Sequence, residues 1–209
     1  MDPPGSLFVR ITYNDCMNIY VGGVNGVGKS TILRRAAQID KRLEIIHYSS
    51  AVMQLLGLGP NDYEAFHKLS QKVCNQATSQ LMNDLIRRQT ERIRLIDGHF
   101  LAIHEGTIYQ LAGDWVARLD GLVLVTASFE VQWRRLQTDD RWLHRRIFKP
   151  GATKSEAMAE LPTYIEKTKH EFDDWAKQFR LDHLELAHND DDVDRAAHKL
   201  INFIDTLRG

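Results

Sequence analysis

Two runs, Asn18–Gly22 (NIYVG) and Gly121–Thr126 (GLVLVT), carry no charge and are apolar almost throughout rather than at alternate positions. A strand of this kind has no face to offer to water, so both faces must be covered, which is the condition of a central strand in a parallel sheet. Helix-period patterns stand between such runs along the whole chain. Strands are predicted at 18–22, 43–48, 93–97, 121–126 and 181–187. Helices are predicted at 30–39, 51–56, 108–119, 129–137, 155–179 and 193–207, with a long amphipathic region over 61–89. Gly57-Leu58-Gly59-Pro60 breaks the chain before that region. Strand–helix alternation argues for an α/β fold with helices on both faces of one parallel sheet. At 209 residues the chain has the size of a single such domain.

The connection after the first strand is unusual. Gly23-Val24-Asn25-Gly26-Val27-Gly28-Lys29-Ser30 fits the spacing G-x-x-x-x-G-K-[ST], between a predicted strand and a predicted helix. Glycines allow a sharp turn and bring backbone N–H groups close to phosphate oxygens. The helix that follows presents its positive end to an anion. Lys29 is placed to reach the β- and γ-phosphates, and the Ser30 hydroxyl to ligate Mg²⁺. The pattern is a P-loop, and it predicts a P-loop NTPase three-layer fold with a five-stranded parallel sheet, binding a nucleoside triphosphate and Mg²⁺. Gly23, Asn25, Gly26, Val27, Gly28, Lys29, Ser30 and Thr31 are its nucleotide-binding residues.

Further along, Arg94-Leu95-Ile96-Asp97-Gly98-His99 ends a strand on a carboxylate. The carboxyl edge of a parallel sheet is where ligands bind, so Asp97 is a second candidate metal residue beside Ser30. WRRLQTDDRWLHRRIF concentrates arginines after the fourth strand. Phosphoryl transfer spreads negative charge over the equatorial oxygens, and arginines compensate it. Arg141 and Arg145, four residues apart, can face one way on a helix and are the candidate transition-state pair. Arg134 and Arg135 fit a solvated helix face as well as a functional one.

Composition narrows the partners. Net charge is −1, with 26% charged and 43% apolar residues, so no global field points to nucleic acid or to an anionic membrane. No window is long and apolar enough for a transmembrane helix. Cys16 and Cys74 have no metal-type spacing and suit a reducing, cytoplasmic setting. Residues 1–16 read as an unstructured leader, LFVRITY offers an added short strand, and Met17 offers an internal start.

Four blocks in order, GGVNGVGKSTI, IIHYSSAVM, LIDGHF and GLVLVTASFEVQWRRLQTDDRWLHRRI, resemble the nucleoside monophosphate kinases, most of all the archaeal-type adenylate kinases with a short lid. The C-terminal LDHLELAHNDDDVDRAAHKLINFIDTL is similar to that family's end. The resemblance implies ATP-dependent phosphoryl transfer to a nucleoside monophosphate, with AMP the first choice. It implies that Asn189 lies against the adenine, that Ser49 and Ser50 open the acceptor site, and that 61–90 is the acceptor cover. It further implies that 138–150 is the lid, that Arg141 and Arg145 close on the transferring group, and that a homo-oligomer is an option.

The chain departs from that pattern on the acceptor side. Where the family offers an arginine to the acceptor phosphate, EAFHKLSQ has His67 followed by Lys68. After the third strand, GHFLAIHEGTIYQ lacks D-G-x-P-R and has His99 and His104. His67 and His99 are the candidate acceptor contacts together with Ser49, Ser50 and Asp97. Two alternatives therefore stand beside the first reading: a small-molecule kinase with a non-nucleotide acceptor, and a P-loop ATPase switch acting on a macromolecular partner.

Overall fold

In the computed structural model, which describes residues 16–59, 62–88, 90–104, 107–111, 113–138, 148, 151–189 and 192–208, the predicted central strands lie side by side. Strand β1 (Asn18–Gly22) pairs with β3 (Ile93–Asp97) on one side and β6 (Gly121–Thr126) on the other. Outside them lie β2 (Leu43–His47) and β7 (His183–Ala187), giving one parallel sheet in the order β2-β3-β1-β6-β7. The predicted α/β fold with a five-stranded parallel sheet is the fold observed.

The sheet is central because successive side chains alternate between two cores. Ile19, Val21, Leu95, Val123 and Val125 face one core, shared with α1 (Lys29–Ile39) and α7 (Val193–Thr206). Tyr20, Ile96, Leu122 and Leu124 face the other. That second core is aromatic, with the ring of Tyr20 5.5 Å from those of Phe100 and Trp175. It is covered by α2 (Tyr48–Leu55), α4 (Gln71–Arg87) and α6 (Lys154–Phe179). A third, smaller core joins Val24, Trp133, Leu136, Leu161 and Tyr164, and packs α5 (Phe129–Gln137) against α6 and the glycine loop.

Two expectations, the helix over 108–119 and the start of α2, are corrected. Among the described residues the helix predicted over 108–119 is absent; Leu101–His104 (β4) and Thr107–Gln110 (β5) form an antiparallel pair instead, and only Val116–Arg118 winds into a single 3₁₀ turn. Thr107-Ile108-Tyr109 are β-branched or aromatic and favour a pleated surface, and Gly113 interrupts any helix that would follow. The pair is tied down by Gln110, whose amide donates to buried Glu171 on α6 at 3.3 Å. The long amphipathic region is two helices, α3 (Tyr63–His67) and α4, because Ser70 caps α4 by accepting from the Val73 N–H at 3.4 Å. Helix α2 starts at Tyr48, three residues before its predicted start.

Helix ends follow the local chemistry. Thr153 and Glu156 form a capping box at the start of α6, and Asp192 caps α7 by accepting from the Arg195 N–H at 2.9 Å. Cys16 and Cys74 are free thiols. Among the described residues no helix is long and apolar enough to cross a membrane. The first fifteen residues of the predicted leader, and most of the predicted lid, lie outside the described residues.

Candidate active site

Strands β1, β2 and β3 all run in the same direction, so their carboxyl ends share one edge. Glycine-loop residues 24–28 follow β1 there, Asp97 ends β3, and His47 ends β2 directly across from it in the pairing register. A cavity of about 630 Å³ lies at this edge, lined by loop residues 24–31.

The loop turns into α1 at Gly28, which has φ 90°. A Cβ there would sit 2.6 Å from the ring of His188. Only glycine meets both the left-handed conformation and the lack of space. No side chain caps the N-terminus of α1, so the positive end of the helix opens on the cavity.

Alternate carbonyls of the loop are anchored from outside. His99 Nδ1 donates to the Gly23 carbonyl at 2.8 Å, Gln132 Nε2 to that of Asn25 at 2.7 Å, and Arg135 Nη1 to that of Val27 at 3.1 Å. In a planar trans peptide the next N–H points opposite to the carbonyl. The N–H groups of Val24, Gly26 and Gly28 therefore point away from these anchors. Amides of a glycine-rich turn that are turned away from its anchoring groups are the kind of donors that bind anions. Arg135 also donates to the His188 carbonyl at 3.0 Å, which joins the end of β7 to the loop.

Lys29 is 8% exposed, with its ammonium 2.9 Å from Asp97 Oδ1 and also donating to the Gly98 carbonyl. Asp97 Oδ2 accepts from His47 Nδ1 at 3.1 Å and from the Ser30 hydroxyl at 3.4 Å. Burial pushes the Asp97 carboxyl up. The charge and hydrogen bond of Lys29, with His99 and His47 adding to them, outweigh burial and hold it below the usual carboxylate range. The residue is thus an ionised acceptor. Among the described residues no three His, Cys, Asp or Glu side chains converge as a metal cage. The Ser30 hydroxyl beside the Asp97 carboxylate fits Mg²⁺, a hard cation that keeps waters and takes phosphate oxygens with one or two protein oxygens.

The other candidate residues are distributed as follows. Ser49 and Ser50 line the cavity from the first turn of α2, and His99 lines it while holding Gly23. Thr31 lines it from α1. The Asn189 amide oxygen accepts from the Ser128 N–H at 2.5 Å, tying the segment after β7 to the start of α5. Arg141 and Arg145 lie outside the described residues, as does the side chain of His67. Sequence reasoning gave no role to His47, Gln132 or His188, all of which touch the loop, Asp97 or the cavity wall. Arg135 stood between two readings, and its bonds to Val27 and His188 decide for the loop. One signal was legible: Gln132 and Arg135 are three apart and share a face of α5. His47 ends its strand as Asp97 ends its own.

Comparison with known proteins agrees with this geometry. The AAA domain sequence profile matches residues 22–145, more than half of the chain. Among solved structures the chain is similar to a shikimate kinase from Bacteroides thetaiotaomicron, with TM-score 0.61 and 13% identity over 90% of this chain and 98% of that one. A shikimate kinase from Acinetobacter baumannii in complex with shikimate gives TM-score 0.60 and 17% identity over 93% and 96%. Thymidylate kinase from Candida albicans gives 0.56 and 14% over 93% and 93%. At these identities the likeness is one of fold. No curated protein matches the chain.

Proposed function

Because the chain belongs to the AAA domain family and has the fold of P-loop kinases, we propose that it transfers the γ-phosphoryl group of ATP to a small-molecule acceptor. The observation that carries this reading is the Lys29–Asp97–Ser30 arrangement at the mouth of the glycine loop. In this reading Lys29 is the cation for the β- and γ-phosphates, and Ser30 and Asp97 supply two oxygens for Mg²⁺. The loop amides hold the donor phosphates, and Lys29 shifts from Asp97 toward them. When bound, the metal neutralises charge on the phosphate oxygens. Arg141 and Arg145 compensate the charge that develops in transfer, and closure of 138–150 keeps water from the γ-phosphoryl group.

The resemblance to short-lid adenylate kinases favours a nucleoside monophosphate as acceptor, AMP first, with Asn189 on the adenine side. In this reading Ser49, Ser50, His67 and His99 meet the acceptor. A non-nucleotide acceptor is the second reading, favoured by the hydroxyl and imidazole groups of Ser49, Ser50, His47 and His99 lining the cavity.

Phosphorus NMR tests both. The protein is incubated with Mg-ATP and, separately, AMP, CMP, UMP, dTMP or shikimate, with one control lacking acceptor. Loss of the monophosphate with formation of ADP and the matching diphosphate, which for AMP is a second ADP, establishes a nucleoside monophosphate kinase. A phosphomonoester from shikimate establishes a hydroxyl acceptor. Inorganic phosphate in every tube, regardless of acceptor, replaces the kinase reading with an ATPase.

A further inference from the structure

Asp97 has two oxygens with different duties. Oδ1 accepts from Lys29 at 2.9 Å, whereas Oδ2 faces both Ser30 Oγ at 3.4 Å and His47 Nδ1 at 3.1 Å. A carboxylate turns easily about its last bond, since that torsion has broad and roughly two-fold minima. Lys29 is a flexible partner on a four-carbon stem and does not by itself fix the carboxylate plane. His47 is different. Its backbone is paired to β3 with His47 opposite Asp97, so the imidazole stands beside the carboxylate on a rigid sheet. An ionised carboxylate only accepts, so Nδ1 must carry the hydrogen. That leaves Nε2 on the outer edge of a ring that is 56% exposed.

We propose that His47 is the positioning residue of the metal-binding carboxylate, holding Asp97 so that Oδ2 faces the Ser30 hydroxyl. The inference rests on reading this edge as a site for Mg-ATP. Because His47 is joined directly to the α2 turn that carries Ser49 and Ser50, a group bound against that turn lies next to the residue that orients the metal ligand. Partners that orient a metal-binding carboxylate change metal affinity without touching the metal, commonly by about 10- to 100-fold.

Three variants of the full chain test this with ATP and Mn²⁺ as probes. ATP affinity is measured by calorimetry in EDTA, and Mn²⁺ affinity of the ATP complex by electron paramagnetic resonance. Asparagine can offer its amide nitrogen where histidine has Nδ1, whereas glutamine offers it near Nε2. His47→Ala and His47→Gln are expected to weaken Mn²⁺ binding at least about tenfold, and His47→Asn to stay within about twofold of the parent. ATP affinity in EDTA should be the same in all four proteins, which also reports that they are folded. Parent-like Mn²⁺ affinity in His47→Ala overturns the inference, and so does failure of His47→Asn to restore it. A parent protein that binds neither ATP nor Mn²⁺–ATP overturns the functional reading, and the inference falls with it.

Discussion

Lys29 shows how much a single residue's role depends on what folds around it. Its place in G-x-x-x-x-G-K-[ST] was legible from the chain alone, yet its ammonium ends between Asp97 and the Gly98 carbonyl, about seventy residues further on. Lys29→Ala removes the cation that the proposed reaction sets against the β- and γ-phosphates. Turnover with the acceptor identified by NMR should fall by at least about 100-fold, while the circular dichroism spectrum stays that of the parent. Gln132 illustrates the opposite case. It is fully buried and reads as an ordinary polar helix residue, but its amide holds the Asn25 carbonyl. Gln132→Leu keeps the bulk and removes the donor, leaving a loop carbonyl unanchored. A lost buried hydrogen bond of about 1–3 kcal/mol predicts a rise in KM for ATP of about tenfold, read from steady-state kinetics with the acceptor saturating.

At the scale of elements, strands were easier to read than helices. Uncharged runs such as Gly121–Thr126 have only one way to be satisfied, between two helical layers. The stretch 108–119 was misread because its apolar residues suit either period over so short a span, and only the pairing of Leu101–His104 with Thr107–Gln110 separates them. Helix α6 carries an interior Pro162, which deprives the Met158 carbonyl of its helical partner. Such a helix depends more on its cap. Thr153 Oγ1 accepts from the Glu156 N–H at 3.3 Å, and Glu156 Oε2 accepts from the Thr153 N–H at 2.7 Å. Thr153→Ala should lower stability by about 1 kcal/mol in urea unfolding, with the slope of the transition unchanged.

For the whole molecule, the Lys29–Asp97 pair links stability to pH. The folded Asp97 carboxyl lies below its usual range, so the folded state binds its proton less readily than the unfolded chain does. Its contribution is fully present above the ordinary carboxylate value and is lost as pH falls through the depressed one. Asp97→Asn leaves the Lys29 ammonium buried without its counter-charge and should cost about 3 kcal/mol at pH 7. That gap between parent and variant should narrow as pH falls below the ordinary carboxylate range, read from urea unfolding at each pH. A gap that stays constant would mean that Asp97 does not stabilise the fold as an anion. The sequence by itself determined the class of fold and the nucleotide loop, since both are written locally: apolar runs demand burial on two faces, and a glycine loop opening a helix demands an anion. Only the tertiary structure decided which groups meet that loop and the Asp97 carboxylate beside it. His47, His99, Gln132 and Arg135 come from three other segments, and no local period or spacing records a contact made across 50 to 108 residues of chain.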